Sequence, residues 1–299
     1  MARQRTSVWH TRSALWFILP GFLLFLFFNL YPIIHSVYVS TTDMSFYNIM
    51  KPADLHFVGL SNYQTLFGDP MIYRAISLSL LFLATSVPLK ALAGLLFASI
   101  LNSERVWGKP ILRSLAILPW VVPFVFSVFL WRGMFTSDFG AVNQIFGSLG
   151  LPSVNWLYDA GHAFIVYNIV EVWLAYPFMM TVILGAMQSV PPDLYESAAM
   201  DGTGTWRKLK DITLPLIKRP LMFATIMTSI ASITAFMIPL LINDAGPGRV
   251  NETMMVYGYR EAFTGGRYGY ASAFMVIVAM ICAVFIILSL KASKLTKEE

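Results

Sequence analysis

The chain has 299 residues, 57% of them hydrophobic and only 12% charged, where a soluble globular domain carries about 25% charged residues. That leaves too few polar side chains to cover a soluble surface, so the composition excludes an ordinary soluble domain and points to a membrane protein. The net charge of +5 belongs to basic residues at the edges of apolar segments, which reads as membrane topology rather than nucleic-acid binding, and a single cysteine, Cys282, excludes a disulfide framework.

A spanning helix needs about 20 mostly apolar residues. Six stretches qualify in chain order: residues 14–39, 75–101, 112–134, 163–188, 221–242 and 268–290. Arg3, Arg5 and Arg12 precede the first. Its apolar run exceeds the roughly 7–15 residues of a secretory signal core and no small-residue cleavage site follows, so it is expected to be a retained helix. The expected fold is an all-α membrane protein of six transmembrane helices, residues 14–290, with an N-terminal segment 1–13 and a tail 291–299.

Orientation follows from the Lys/Arg distribution. With the N-terminus inside, the inner segments hold Arg3, Arg5, Arg12, Arg105, Lys109, Arg113, Arg207, Lys208, Lys210, Lys218, Arg219, Lys291, Lys294 and Lys297. The outer ones hold Lys51, Arg74, Arg132, Arg249, Arg260 and Arg267. That split predicts cytoplasmic termini, and it makes residues 191–217 the longest cytoplasmic loop. The outer loops are rich in Gly, Asn, Asp and aromatics, and the third holds the turn cluster "NDAGPGRVNET".

The inner loop contains "YESAAMDGTGTWRKLKDITLPLIKRP", a charged block between two apolar stretches. Pro191-Pro192 blocks the preceding helix. Asp193 is placed to cap a new helix over residues 194–201, with Glu196 at the capping-box spacing. Gly202 falls where a left-handed cap is wanted. A second helical piece over residues 206–212 would put Trp206 and Leu209 on one face, Lys208 and Asp211 on another. Leu214-Pro215 closes this amphipathic helix–turn–helix. By periodicity alone it is equally a connector resting on lipid headgroups.

The particular residues add more. Glu196, Ala198, Gly202, Ile212, Leu214 and Pro215 follow the spacing E-A-A, three residues, G, nine residues, I-x-L-P, with Ser197 in place of the first alanine. This resembles the EAA loop of permease subunits in binding-protein-dependent ABC importers, and the Asp201-Gly202 pair is common in the sugar-type members. "FVGLSNYQTLFGDP" (57–70), "FGAVNQIFGSLGLP" (139–152), "AGP" (245–247) and "YGYASA" (268–273) are similar, in order, to segments of carbohydrate-importer permeases of the maltose-transporter type.

The resemblance implies a subunit of a prokaryotic plasma membrane importer for a neutral mono- or oligosaccharide. Its partners would be a second homologous permease, a cytoplasmic ABC ATPase dimer and an external sugar-binding protein. ATP and Mg would be bound by the ATPase, and no cofactor by this chain. Glu196, Ser197, Ala198, Ala199, Asp201, Gly202, Leu214 and Pro215 would couple to the ATPase: the small residues allow close approach and the acidic ones lie at the rim.

No nucleotide-binding or catalytic pattern stands against that reading. Gly108-Lys109 lacks the glycine a P-loop needs, and there is no H-E-x-x-H helix or G-x-S-x-G turn. The histidines at 10, 35, 56 and 162 are scattered, so no metal site is expected. Two ionisable residues stand out away from the ends of spans, where charge is costly. Glu171 is expected to line a water-filled cavity, whereas Lys90 is expected to be structural, snorkelling or bonded to carbonyls. Counted from the outer ends of their spans, they lie about 12 Å apart in depth, so the count does not pair them.

Asn168, Glu171, Trp173 and Tyr176 offer the polar and aromatic mixture that sugars use, and Thr225, Ser229 and Ser232 form a polar stripe on the fifth span that equally suits helix packing. The absence of an arginine cluster argues against a phosphorylated substrate. A stand-alone secondary transporter or channel for a small polar solute is the competing class, although no repeat or broken-helix ion site is evident. A membrane-embedded enzyme has no supporting constellation.

Overall fold

A computed structural model describes residues 8–293. Residues 1–7 and 294–299, including Arg3, Arg5, Lys294 and Lys297, lie outside the described residues. Among the described residues all regular elements are helical, apart from one isolated bridge between Thr42 and Phe57.

The chain opens with α1 (Val8–Phe25), which runs through a π turn (Leu26–Leu30) into α2 (Tyr31–Ser40). A short α3 (Ser61–Phe67) precedes the long α4 (Pro70–Asn102). Then come α5 (Lys109–Ala116), α6 (Leu118–Val121), α7 (Phe124–Met134), α8 (Ala141–Ser148) and the long α9 (Ala160–Gln188). The polar block holds α10 (Pro192–Met200), α11 (Thr205–Lys208), a π turn (Leu209–Thr213) and α12 (Leu214–Leu216). The last elements are α13 (Lys218–Ile233), α14 (Met237–Asn243), α15 (Met254–Tyr259) and α16 (Tyr268–Ser293).

Four described stretches are long and apolar enough to cross a membrane: Trp16–Ser40, Pro70–Asn102, Ala160–Gln188 and Tyr268–Ser293. A fifth arises if Thr205–Leu216 and Lys218–Ile233, bent by 76°, form one span. No residue of the most apolar window in Trp16–Ser40 is buried, as a helix facing lipid requires.

Two of the six expected spans are not single helices. Residues 112–134 break into α5, α6 and α7. Proline is the cause: Pro119 sits in the first turn of α6, and Pro123 forces Val122 into an extended conformation (φ −76°, ψ 126°). In residues 221–242, α13 stops at Ile233 and α14 restarts at Met237. The Pro239 ring is incompatible with a helical carbonyl four residues earlier, at Ala235. That carbonyl accepts instead from Thr253 Oγ1 at 2.9 Å.

Contacts divide the chain into two compact units, residues 1–69 with 258–279, and residues 70–257 with 280–299. In the second unit α4, α9 and α13 pack together. A Cβ on Gly94 would lie 2.5 Å from the Met179 Cβ, so α4 and α9 can only come this close at a glycine. One core cluster gathers Ala98, Tyr176, Met179, Ile183 and Ile217; another gathers Phe82, Val128, Val166, Tyr167 and Ile238.

In the first unit Asn62 Nδ2 donates to the carbonyls of Ser40 (2.9 Å) and Thr42 (2.8 Å). Gly269 donates its N–H to Met44 O at 2.8 Å, and a Cβ on it would collide with Thr42 O. The segments 57–70 and 268–273 thus both anchor on residues 40–44, through Asn62 and Gly269, and Tyr270 Oη donates to Asp69 Oδ2 at 3.2 Å directly between them.

Candidate functional site

The polar block forms an exposed helix with a rigid back. Pro191 (φ −57°, ψ 130°) occupies the cap position of α10, so Pro192 starts the helix and Asp193 falls in its first turn. The expected Asp193 cap and its box with Glu196 are therefore not formed: proline at the first helical position starts the helix without a side-chain cap. Asp193 retains a favourable place near the positive end of the helix dipole.

At the other end Gly202 has φ 71°. Thr203 N–H donates to Ala198 O at 2.9 Å and Gly202 N–H to Ala199 O at 3.0 Å, which closes a Schellman motif. Nothing would meet a Cβ at Gly202, so the glycine is required by conformation and not by space.

Behind α10, Tyr195 Oη meets Thr213 Oγ1 at 2.9 Å, and Lys208 Nζ donates to Tyr195 O at 3.0 Å. Leu209 and Leu214 pack against the core, whereas Trp206 stays 75% exposed. The expected common face of Trp206 and Leu209 is not kept, because the helix widens into a π turn at Leu209. Glu196, Ser197, Ala199, Asp201, Gly202 and Pro215 are exposed and Ala198 is half-buried. A cleft of about 470 Å³ lies beside Glu196, Ala199 and Lys208.

The second feature lies inside the helices. Lys90 on α4 is fully buried and is paired with Glu171 on α9 through Nζ and Oε1. Lys90 Nζ also donates to Ser232 Oγ on α13 at 2.7 Å, and Ser86 Oγ donates to the same oxygen at 3.2 Å. Neither the carbonyl-bonded nor the snorkelling role expected for Lys90 is seen. Depth counting failed because α4, with 33 residues, is about 50 Å long against a hydrocarbon thickness of about 30 Å. The ends of α4 and α9 therefore do not mark one plane.

Glu171 also lines a cavity of about 450 Å³ walled by Trp120 and Phe124, by Leu174, Ala175 and Phe178 of α9, and by Met227, Thr228 and Ala231 of α13. Of the residues expected on the pathway, Glu171 alone is on this wall. Asn168 accepts from Thr85 (2.8 Å) and donates to Phe164 O (2.9 Å). Tyr176 stacks on Phe97 at 4.7 Å and Trp173 meets Trp131 edge-on at 5.8 Å. Thr225 and Ser229 bond back into their own helix, to Leu221 O and Thr225 O. Sequence reading missed Trp120, Phe124 and Phe178. The signal was Pro119 and Pro123 bracketing Trp120, since irregular backbone at membrane depth occurs where it lines a cavity.

Long apolar helices around a buried ion pair and a cavity, interrupted by one exposed polar helix, define a membrane-embedded transport subunit. The chain belongs to the family described as binding-protein-dependent transport system inner membrane component, which it matches over residues 90–293. It is a transport component and not an enzyme.

The chain is 33% identical over 282 residues to the trehalose/maltose transport system permease protein MalF of Thermococcus litoralis, covering 94% of this chain and 93% of that one. It is 30% identical over 287 residues to the probable ABC transporter permease protein YurN of Bacillus subtilis, covering 95% and 96%. A chain in the crystal structure of a bacterial alginate ABC transporter, in complex with alginate pentasaccharide-bound periplasmic protein, superposes with a TM-score of 0.81 at 23% identity and 96% coverage of both, a likeness of fold.

Proposed function

We propose that the chain is the permease subunit of an ATP-driven importer of neutral mono- or oligosaccharides, with six spans and cytoplasmic termini. A second homologous permease supplies the facing half of the pathway. A cytoplasmic ATPase dimer binds ATP and Mg, and an external binding protein delivers the sugar. The relative named for trehalose and maltose transport supports the substrate class. The broken stretches 112–134 and 221–242 count as the third and fifth spans in this reading.

The observation that carries the reading is where α10 sits in the chain. It lies between α9 and α13, the two helices that contribute Glu171, Phe178, Met227 and Thr228 to the cavity wall. Its exposed face carries Glu196, Ala199 and Met200, the last 89% exposed. Tyr195 and Lys208 tie its back to the π turn, so a push on α10 moves the block as one body. Displacement by an ATPase would then reach the cavity through the covalent ends of α9 and α13. The small side chains permit close approach, and Glu196 and Asp201 supply charge at the rim.

Gly202→Trp and Glu196→Lys test this role. A residue with a Cβ in the left-handed cap costs about 1–2 kcal/mol locally, and both positions lie outside the spans. Both variants are expected at normal levels in the membrane, with weak ATPase co-purification and little ATP hydrolysis stimulated by the binding protein in proteoliposomes. Full retention and full stimulation in both would reduce the block to a lipid-surface connector.

A further inference from the structure

The ion pair is unusual in its placement. Among the described residues lining the 450 Å³ cavity, Glu171 is the one ionisable side chain; the others named are apolar, aromatic or hydroxylated, such as Trp120, Phe178, Met227 and Thr228. The contacts to Lys90 and Ser232 both fall on Glu171 Oε1, and among the described residues no hydrogen bond reaches Oε2. Lys90 itself is absent from the cavity wall and has no exposed surface. The cavity therefore has a carboxylate on its wall and the neutralising charge one layer behind it.

Such an arrangement has a chemical consequence. An uncompensated carboxylate on the wall of a cavity bounded by apolar side chains would concentrate cations and repel anions. With its charge cancelled from behind it still accepts a hydrogen bond from a hydroxyl but exerts little net field. Ser232 Oγ accepts from the ammonium and is itself bonded by Ser86 Oγ, so the compensation does not depend on a mobile lysine. Leaving either charge unpaired would also be costly, which keeps the pair closed.

We propose that Lys90 is a specificity-determining residue that never touches the solute: it cancels the charge of Glu171, so the cavity admits neutral hydroxylated solutes and gives no advantage to ionic ones. This rests on the permease reading proposed above, with the cavity taken as part of the solute's path.

The test needs no sugar. Cys282, the single native cysteine, is replaced by serine, and cysteine is placed at Ala175, one turn along α9 from Glu171 and on the cavity wall. In the assembled importer, labelling rates are measured with two membrane-impermeant methanethiosulfonates, one cationic and one anionic. With the pair intact, the cationic-to-anionic rate ratio should match that of a small free thiol.

Lys90→Met should raise the ratio by about tenfold or more, and Glu171→Gln should lower it by a similar factor. Ser232→Asp adds a second carboxylate while Lys90 stays paired, so it should raise the ratio even if Lys90→Met does not fold. A merely structural lysine would not move the ratio in opposite directions. If both reagents reach the cysteine and the ratio is the same in wild type, Glu171→Gln and Ser232→Asp, the role of Lys90 is overturned while the pathway stands. If neither reagent reaches it, the pathway reading falls and this inference with it.

Discussion

Asparagine side chains do much of the work of the loops between the long helices. Asn143 Nδ2 donates to the carbonyls of Ser137 (3.1 Å) and Val154 (3.0 Å), and its Oδ1 accepts from Val154 N and Trp156 Nε1. Val154 O keeps a bond from Trp156 N–H, but alanine there would leave Ser137 O, Val154 N and Trp156 Nε1 without partners, so Asn143→Ala should destabilise the purified subunit by about 1–3 kcal/mol in a thermal melt. Asn143→Asp keeps the acceptor alone and should fall in between. Asp159 does a similar job for α9, accepting from His162 N–H at 2.9 Å as the helix cap. That backbone hydrogen bond, more than the His162 ring, holds its carboxyl below the ordinary 3.8. A depressed folded value means that the cap's contribution is complete above about pH 4 and is lost as pH falls through the lower folded value. Melts of wild type and Asp159→Asn should therefore differ most at neutral pH and converge in acid. Of these residue-scale features, the sequence made Gly202 legible because a glycine is the default where φ must be positive. It hid the Lys90–Glu171 pair, whose depths could not be compared without knowing how far α4 projects.

At the scale of the element, uniformly apolar stretches were easy to find. The expected 75–101, 163–188 and 268–290 fall inside Pro70–Asn102, Ala160–Gln188 and Tyr268–Ser293. Residues 112–134 and 221–242 read as equally apolar, yet they break at Pro119, Pro123 and Pro239. Mean hydropathy counts side chains and ignores the missing N–H and the ring clash that decide helix continuity. The same blindness set the start of α10 at Asp193 instead of Pro192. How closely α4 and α9 approach was not legible either, because Gly94 reads as one more small apolar residue. Gly94→Leu would force side-chain atoms into the Met179 backbone, where even a Cβ would come within 3.0 Å of the carbonyl carbon. Overpacking of this kind typically costs about 1–3 kcal/mol. The variant should show lower yield and a lower melting temperature, and Gly94→Ala a smaller drop of the same sign.

For the whole molecule, the sequence carried the membrane class and the polar block, because both are compositional and local. The cavity was not legible, since its wall is assembled from a proline-broken segment, α9 and α13, far apart in the chain. What those parts do together is the central claim: uptake is powered by ATP through a separate ATPase that engages α10. The competing class, a self-contained carrier driven by an ion gradient, makes the opposite demand. The direct measurement is uptake of radiolabelled maltose or trehalose, sugars named for the Thermococcus litoralis relative, into proteoliposomes. These would hold this chain with its second permease and ATPase, and the binding protein would be supplied outside. The account predicts uptake that requires ATP on the ATPase side, survives ionophores that collapse ion gradients, and disappears when the ATPase is omitted. Uptake that persists without the ATPase and stops with the ionophores would contradict it.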